Sequence, residues 1–371
     1  MKYYIIAGEA SGDMHAANLF AEIRKQDKEA VARSWGGDRL KASGAEVVRH
    51  YRDLAFMGFT EVAMNLRTIL RNIKMCKEDI VSWKPDAVIL VDYPGFNLRI
   101  AEYAKQQGFT VFYYISPQVW AWKQSRVHKI GKFVDRMFAI LPFEKEFYGR
   151  FGYDIDFVGH PLLDEIGRFS KNDSWLEENK LGIKPLIALL PGSRRQEVAA
   201  MLPLMVKMKG RFPAYQFVVA GAPSLPVEFY RELTGSNDIP VVVNQTYNLL
   251  NHSHAALVTS GTATLETALF DVPEVVCYKG GKLSYLIARS LVKVDYISLV
   301  NLIMSREIVK ELIQDELNEQ SLEAELRKIL EPARREAMKK DFLALRTKLG
   351  GPGASAHTAG LMVDYLRKKV K

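Results

Sequence analysis

Apolar positions along this chain follow two rhythms. Short continuous apolar runs bounded by turn residues read as buried strands, and stretches with apolar residues three or four positions apart read as helices. In the first half the strand signals fall at Tyr3 to Ala7, Ala87 to Asp92, Thr110 to Ile115, Arg136 to Leu141 and Ile155 to Val158. Helical segments lie between them, and that alternation predicts a parallel, doubly wound sheet. Around Gly159-His160-Pro161 the sheet pattern stops, and the polar stretch Arg168 to Lys184 reads as a link between domains. The second half repeats the grammar at Leu186 to Leu190, Gln216 to Ala220, Pro240 to Val243, Ala255 to Val258 and Glu274 to Cys277. The expected class is therefore α/β, with two doubly wound Rossmann-like domains facing each other across a cleft.

The strand ends carry the candidate chemistry. Leu186 to Leu190 ends at Pro191-Gly192 and passes into helical spacing at Val198, Leu202 and Met205, which puts Gly192, Ser193 and Arg194 where a strand feeds a helix N-terminus. Backbone N–H groups and the helix dipole favour an anion there, and Arg194 adds a fixed charge with forked donors. An ordinary turn with a solvated Arg-Arg pair is the competing reading. Thr259 to Glu266 forms a second such turn through Ser260, Gly261 and Thr262, with Glu266 about one turn inside the helix. A carboxylate there would repel a phosphate and suits the ribose hydroxyls of a nucleotide, although helix capping explains part of the pattern. Two anion cradles in one domain make a nucleoside diphosphate the economical ligand.

In the first half, Gly8-Glu9-Ala10-Ser11-Gly12-Asp13 follows the first strand. It is not a dinucleotide fingerprint, because the third glycine is missing and a carboxylate stands inside it. Glu9 at a strand end can meet a hydroxylated ligand; the alternative makes Asp13 a helix cap and Glu9 a solvated loop residue. Asp92 is delivered by a buried strand just before Tyr93-Pro94-Gly95-Phe96-Asn97, the place where open α/β sheets bind ligands. It reads as a general base or hydroxyl orienter, or else as a cap for the next helix.

Two further stretches stand out. Phe59, Val62, Ala63, Leu66, Ile69, Leu70 and Ile73 share one helical arc with Arg67, Arg71 and Lys74 on its flank, and Phe56 and Met57 precede it. That pattern fits a core-facing helix with solvated arginines or a basic amphipathic helix on an anionic membrane. Tyr113 to Lys123, with Trp120 and Trp122, is dense in aromatics and is followed by Arg126, His128, Lys129 and Lys132. Such interleaving suits a phosphorylated sugar as well as single-stranded nucleic acid, and its short length argues against a nucleic-acid groove. Asp154-Ile155-Asp156 has the form of a metal-binding pair, but it opens a strand pattern and reads as a chance match.

Composition narrows the partners only slightly. The 51 basic and 43 acidic residues give a net charge of +8, which favours an anionic partner without choosing among nucleic acid, phospholipid and phosphorylated metabolite. With 371 residues and 48% hydrophobic content, two well-buried domains are within reach. No apolar run approaches a membrane span, and the start of the chain runs into a strand pattern without a secretory cleavage site. Cys76 and Cys277 match no metal spacing and read as cytosolic thiols.

Taken together, Ala7 to Asp13, Val91 to Asn97, Ser116-Pro117-Gln118-Val119-Trp120-Ala121-Trp122, Leu190 to Arg194 and Ser260 to Glu266 resemble the lipid-A-disaccharide synthase family, in order, through Val294 to Leu302. The resemblance implies an inverting, metal-independent glycosyltransferase of the two-Rossmann GT-B type, with neither a metal nor a cofactor. Such an enzyme joins UDP-2,3-diacylglucosamine to 2,3-diacylglucosamine 1-phosphate, giving UDP and the β-1,6-linked disaccharide 1-phosphate of lipid A. It assigns Gly192, Ser193 and Arg194 to the donor pyrophosphate, Ser260, Gly261, Thr262 and Glu266 to the nucleotide, and Asn301 to the same donor. Val300 stands where the family pattern has proline. Glu9 and Asp92 then face the reacting sugars, with Asp92 first choice for polarising the acceptor 6-hydroxyl, and Ser11, Trp120, Trp122, Arg126 and Lys129 lie on the acceptor side.

Acylated substrates favour membrane contact for Phe56, Met57, Phe59, Val62, Leu66, Arg67, Ile69, Leu70 and Arg71. The implied setting is the cytoplasmic face of the inner membrane, with no nucleic-acid partner and with a homodimer as one arrangement. The implied divisions are residues 1–167 for the acceptor side, 168–349 for the UDP-sugar side, and 350–371 for a last helix that crosses back to the first domain. Two rival readings are another GT-B enzyme acting on UDP-N-acetylglucosamine, such as a 2-epimerase or the peptidoglycan transferase, and a non-catalytic protein that binds anionic lipid or nucleic acid.

Overall fold

The computed structural model describes residues 1–53, 66–121, 123–235, 238–281 and 294–370. They form two α/β units, one of Met1–Asp164 with Leu349–Lys371 and the other of Glu165–Lys348. In the first, all-parallel strands run in the order β3-β2-β1-β4-β5-β6-β7, where β1 is Lys2–Ala7, β2 Val31–Gly36, β3 Glu46–His50, β4 Ala87–Val91, β5 Thr110–Tyr114, β6 Arg136–Ala139 and β7 Asp156–Phe157. Strands β1, β4 and β5 are apolar and buried on both faces, as a parallel sheet covered by helices requires.

Strands β2 and β3 extend the sheet beyond the runs read from the sequence. Arg33 and Ser34 break the apolar pattern of β2, but the Arg33 guanidinium is held by Asp79 and Glu46, and Ser34 donates to the Glu46 carbonyl. Polar residues survive there because each has a partner.

The second unit repeats the plan in the order β10-β9-β8-β11-β12-β13, with β8 at Leu186–Leu190, β9 Gln216–Gly221, β10 Val241–Val243, β11 Ser253–Thr259, β12 Glu274–Tyr278 and β13 Lys310–Ile313. Strand β13 was also hidden, since Lys310 and Glu311 interrupt its apolar residues. The stretch read as a polar link contributes to this unit's core: Trp175 is fully buried, stacks on His252 at 5.3 Å and donates to Gln245.

Past Gly350, Gly351 and Gly353, all left-handed, the helix Ala354–Val370 returns to the first unit and packs on the helix Ala10–Gln26. Asp164 accepts the Ser355 N–H at 2.9 Å, Tyr365 sets its ring edge-on to Phe112, and Lys369 donates to Thr110.

Candidate active site

In each sheet the strand order reverses once, between β1 and β4 in the first and between β8 and β11 in the second. At such a point neighbouring connections leave on opposite faces, opening a crevice beyond the carboxyl ends of the strands. The candidate residues gather at these two places.

At the first, Glu9 follows β1 and Asp92 follows β4, from strands paired through Ala7 and Val91. Glu9 is the N-cap of the helix Ala10–Gln26, with its side chain making no capping bond, and Ser11 lies exposed in the first turn. Asp13 is spent elsewhere. Its buried carboxylate accepts N–H groups of Gly37 at 2.6 Å and Arg39 at 3.0 Å, capping the short helix Asp38–Ala42.

Asp92 and Tyr93 both adopt left-handed backbone, with φ of 45° and 49°. Two consecutive non-glycine residues in that region store strain that the surroundings must hold. The holding groups are visible: the Asp92 carbonyl accepts the Tyr113 hydroxyl at 2.6 Å and Asn97 Nδ2 at 2.7 Å, and the Asp92 N–H donates to Tyr114 at 3.1 Å. Gly8 completes the fit, because a Cβ there would lie 2.4 Å from the Tyr93 ring. Burial raises the Asp92 carboxyl to about 6, the Glu9 charge adds to the effect, and a Tyr93 backbone hydrogen bond opposes it. A carboxylate so placed is ionised near neutral pH yet basic enough to take a proton.

Around this pair, Trp120 is buried, with its ring edge-on to Phe143 at 5.0 Å. Its ring is therefore spent on packing within the protein. Trp122 lies outside the described residues. Arg126 is partly buried and its charge reaches the Tyr113 hydroxyl, whereas Lys129 is paired with Glu102 at 2.6 Å.

At the second reversal, β8 leads through Gly192, Ser193 and Arg194 into the helix Arg195–Arg211, and β11 leads through Ser260 and Gly261 into the helix Thr262–Leu269. Neither helix has a side-chain cap at its N-cap residue, and a helix N-terminus favours an anion. Gly192 has φ of 107°, and a Cβ there would meet Glu197 at 2.7 Å. The two arginines divide: Arg195 lies over the Phe229 ring at 4.0 Å, while Arg194 remains exposed beside Glu197 at 3.2 Å. Ser193, Gly261 and Thr262 are exposed, and the Ser260 hydroxyl donates to the Ile297 carbonyl at 3.1 Å.

Glu266 is partly buried, and burial lifts its carboxyl to about 7 against a hydrogen bond from Tyr247, with Glu165 adding to the rise. Tyr247 was not legible as a site residue, being 19 positions away in sequence and carried by a different helix.

Asn301 corrects an expectation. It is fully buried, its Nδ2 donates to Val309 at 2.8 Å and Glu311 at 2.9 Å, and its Oδ1 accepts the N–H groups of Ile308 and Val309. An amide offers two donors and two acceptor positions, and all are used within the protein. Asn301 therefore holds the turn and does not meet a ligand. Val300 is buried inside the helix Leu299–Met304, whose N-terminus is capped by Ser298.

Phe56, Met57, Phe59 and Val62 lie outside the described residues, as does the Leu66 side chain. On the helix Leu66–Trp83, Arg67, Leu70 and Arg71 are exposed, with Leu70 at 52%, and Ile69 is partly buried. Cys76 and Cys277 are buried, with thiols raised chiefly by burial, which suits packing better than nucleophilic attack. Among the described residues no three His, Cys, Asp or Glu side chains gather as a metal group, and no helix is long and apolar enough to cross a membrane.

Two parallel α/β sheets, each with its candidate residues at the switch point, define the class of two-domain GT-B folds. Among solved structures the fold is shared with UDP-GlcNAc 2-epimerase from Neisseria meningitidis bound to UDP-GlcNAc (TM-score 0.61, 13% identity, 99% of this chain and 100% of that one). It is shared too with the glycotransferase of kitacinnamycin (TM-score 0.65, 12% identity, 98% and 99%). Residues 3–361 match the family described as lipid-A-disaccharide synthetase. Relatives named lipid-A-disaccharide synthase include those of Syntrophus aciditrophicus, 42% identical over 98% of this chain and 97% of the relative, and of Geobacter sulfurreducens, 37% identical over 99% and 97%. The chain belongs to the lipid-A-disaccharide synthase family, and it is a glycosyltransferase of lipid A biosynthesis with the GT-B fold. Family membership over nearly the whole chain sets aside the epimerase and the non-catalytic readings, since the epimerase likeness is one of fold alone.

Proposed function

We propose that the enzyme transfers the sugar of UDP-2,3-diacylglucosamine to the 6-hydroxyl of 2,3-diacylglucosamine 1-phosphate, with Asp92 as the general base. The acceptor oxygen forms the new bond to the donor anomeric carbon as the bond from that carbon to the UDP oxygen breaks. The bonding electrons leave with UDP, the hydroxyl proton passes to Asp92, and attack from the face opposite UDP inverts the anomeric centre. Asp92 carries this reading: it is a carboxylate at the switch point, held in strained backbone and raised to about 6 beside Glu9. Glu9 keeps Asp92 basic and can orient the acceptor hydroxyl.

Charge building on the leaving diphosphate meets Arg194, Ser193 and the leading N–H groups of the helix Arg195–Arg211, without a metal ion. Ser260, Gly261, Thr262 and Glu266 take the nucleotide; a carboxyl near 7 beside Tyr247 is suited to paired hydroxyls and poorly suited to phosphate. The exposed face of Arg67, Leu70 and Arg71 supports docking to an anionic membrane surface. A groove of about 330 Å³, lined by Leu70, Ile73, Lys77, Arg99, Glu102, Tyr103 and Gln106, shares Leu70 with that face.

The test mixes purified full-length protein with both acylated substrates in lipid–detergent micelles containing EDTA, and follows the disaccharide 1-phosphate by mass spectrometry. Product from the wild type and its near-disappearance with Asp92→Asn are expected. Undiminished product from Asp92→Asn would remove Asp92 as base, and a requirement for added metal would remove the metal-free diphosphate site.

A further inference from the structure

The loop that follows β5 is rooted beside Asp92. The Asp92 N–H bonds Tyr114 at that root, and Tyr113 holds the Asp92 carbonyl. Ile115 is left-handed with φ of 65°, a conformation a β-branched residue adopts only under constraint. The inner side of this loop rests on a buried polar cluster that the transfer step above does not use. Ser116 Oγ shares a 2.9 Å hydrogen bond with the Tyr148 hydroxyl, Trp120 packs on Phe143, and Glu144 is 1% exposed in the first turn of the helix Pro142–Gly149.

One Glu144 oxygen, Oε2, accepts the Leu141 N–H at 3.0 Å. The other, Oε1, is buried with no hydrogen-bond partner, and so is the indole Nε1–H of Trp120. The two residues are nonetheless neighbours: burial lifts the Glu144 carboxyl to about 7, and Leu141, Ser116 and Trp120 all pull it back down. An unpartnered acceptor beside an unpartnered donor, both shielded from water, is costly, and a single bond between them removes both penalties.

We propose that Glu144 is a positioning residue for the transfer reaction: Oε1 takes the Trp120 indole N–H and so fixes the loop after β5 against Asp92. The inference rests on Asp92 marking the acceptor side. Glu144 touches no substrate and acts through the loop.

The test measures kcat and KM for each substrate with the full-length enzyme in lipid–detergent micelles, for Glu144→Gln, Trp120→Phe and the double variant. Gln keeps an acceptor for Leu141 but turns an amide N–H₂ toward the indole; Phe keeps an aromatic edge on Phe143 and removes the donor together with part of the ring. Each single variant is expected to lower kcat/KM for the acceptor roughly tenfold, the scale of one hydrogen bond to a charged group, with the donor KM within about twofold of wild type. The double variant should be no worse than the poorer single, because both changes remove the same bond.

Effects that multiply in the double variant, equal losses for donor and acceptor, or wild-type kinetics in both singles would overturn the proposal. If Glu144→Gln does not fold, Trp120→Phe decides: a loss confined to the acceptor upholds the bond, and unchanged acceptor kinetics sinks it. Asp92→Asn run in parallel keeps the two ideas apart, since wild-type turnover there defeats the acceptor-side reading whatever Glu144 does.

Discussion

The two switch points are topological copies with opposite chemistry. Beyond β1 and β4 stand two partly buried carboxylates: Glu9 on extended backbone, and Asp92 on strained backbone locked by Tyr113, Asn97 and the ring of Tyr93 against Gly8. Beyond β8 and β11 stand two helix N-termini without an N-cap side-chain bond, with Ser193, Arg194, Gly261 and Thr262 exposed. A group that must move a proton gains from desolvation, which brings its acidity close to the working pH. Groups that must hold a diphosphate gain from staying charged and pre-aligned, which exposed helix termini and an arginine supply. On the proposed reading, the same fold makes a base at one reversal and an anion cradle at the other by burying the first set and exposing the second.

The sharpest way to break this contrast is Asp92→Asn, which keeps the shape and removes the base. A loss of kcat on the order of 10²- to 10⁴-fold is expected, with little change in the donor KM, read from initial rates at saturating acceptor. Arg194→Ala tests the other pole: about 10²-fold off kcat/KM for the donor, together with weaker inhibition by free UDP. The loss is reinforced because Glu197, now unpaired, faces the same anion.

Asn301→Ala separates a structural residue from a ligand contact. It leaves Glu311 and two backbone N–H groups short of partners, so unfolding free energy should fall by about 2–4 kcal/mol while the donor KM holds at a temperature where the variant is folded. A rise in donor KM without loss of stability would reverse that assignment.

The smallest effect belongs to Glu9→Gln. Asp92 works ionised, so kcat should rise with pH through about 6 and level off above it. Glu9 helps hold the Asp92 carboxyl up, and removing its charge lets that value fall, moving the acid limb to lower pH. A limb that stays in place would mean the two carboxylates are not coupled.

Much of this was legible along the chain. The apolar runs of β1, β4, β5, β8 and β11 are nearly uninterrupted because strands buried on both faces tolerate little else, and Glu9, Asp92 and Arg194 follow within a few residues of their ends, with Glu266 one turn into the helix after β11. Strands β2, β3 and β13 were hidden because Arg33, Glu46 and Glu311 look like solvent residues until their partners Asp79, Ser298 and Asn301 are found. The burial of Trp120 and the saturation of Asn301 were illegible for one shared reason. Spacing gives a residue's place on an element and says nothing of whether another element covers it.

Sequence by itself determined the alternation of elements, the two parallel sheets and which side chains stand at the strand ends, since local periodicity and chain order suffice for those. Tertiary structure alone decided that Asp13 caps a neighbouring helix, that Asn301 is saturated, that Glu266 meets Tyr247, and that Asp92 is desolvated and strained. Each of these depends on a partner distant in sequence, and the burial and hydrogen bonding that set acidity and availability exist only once the chain has closed around the group.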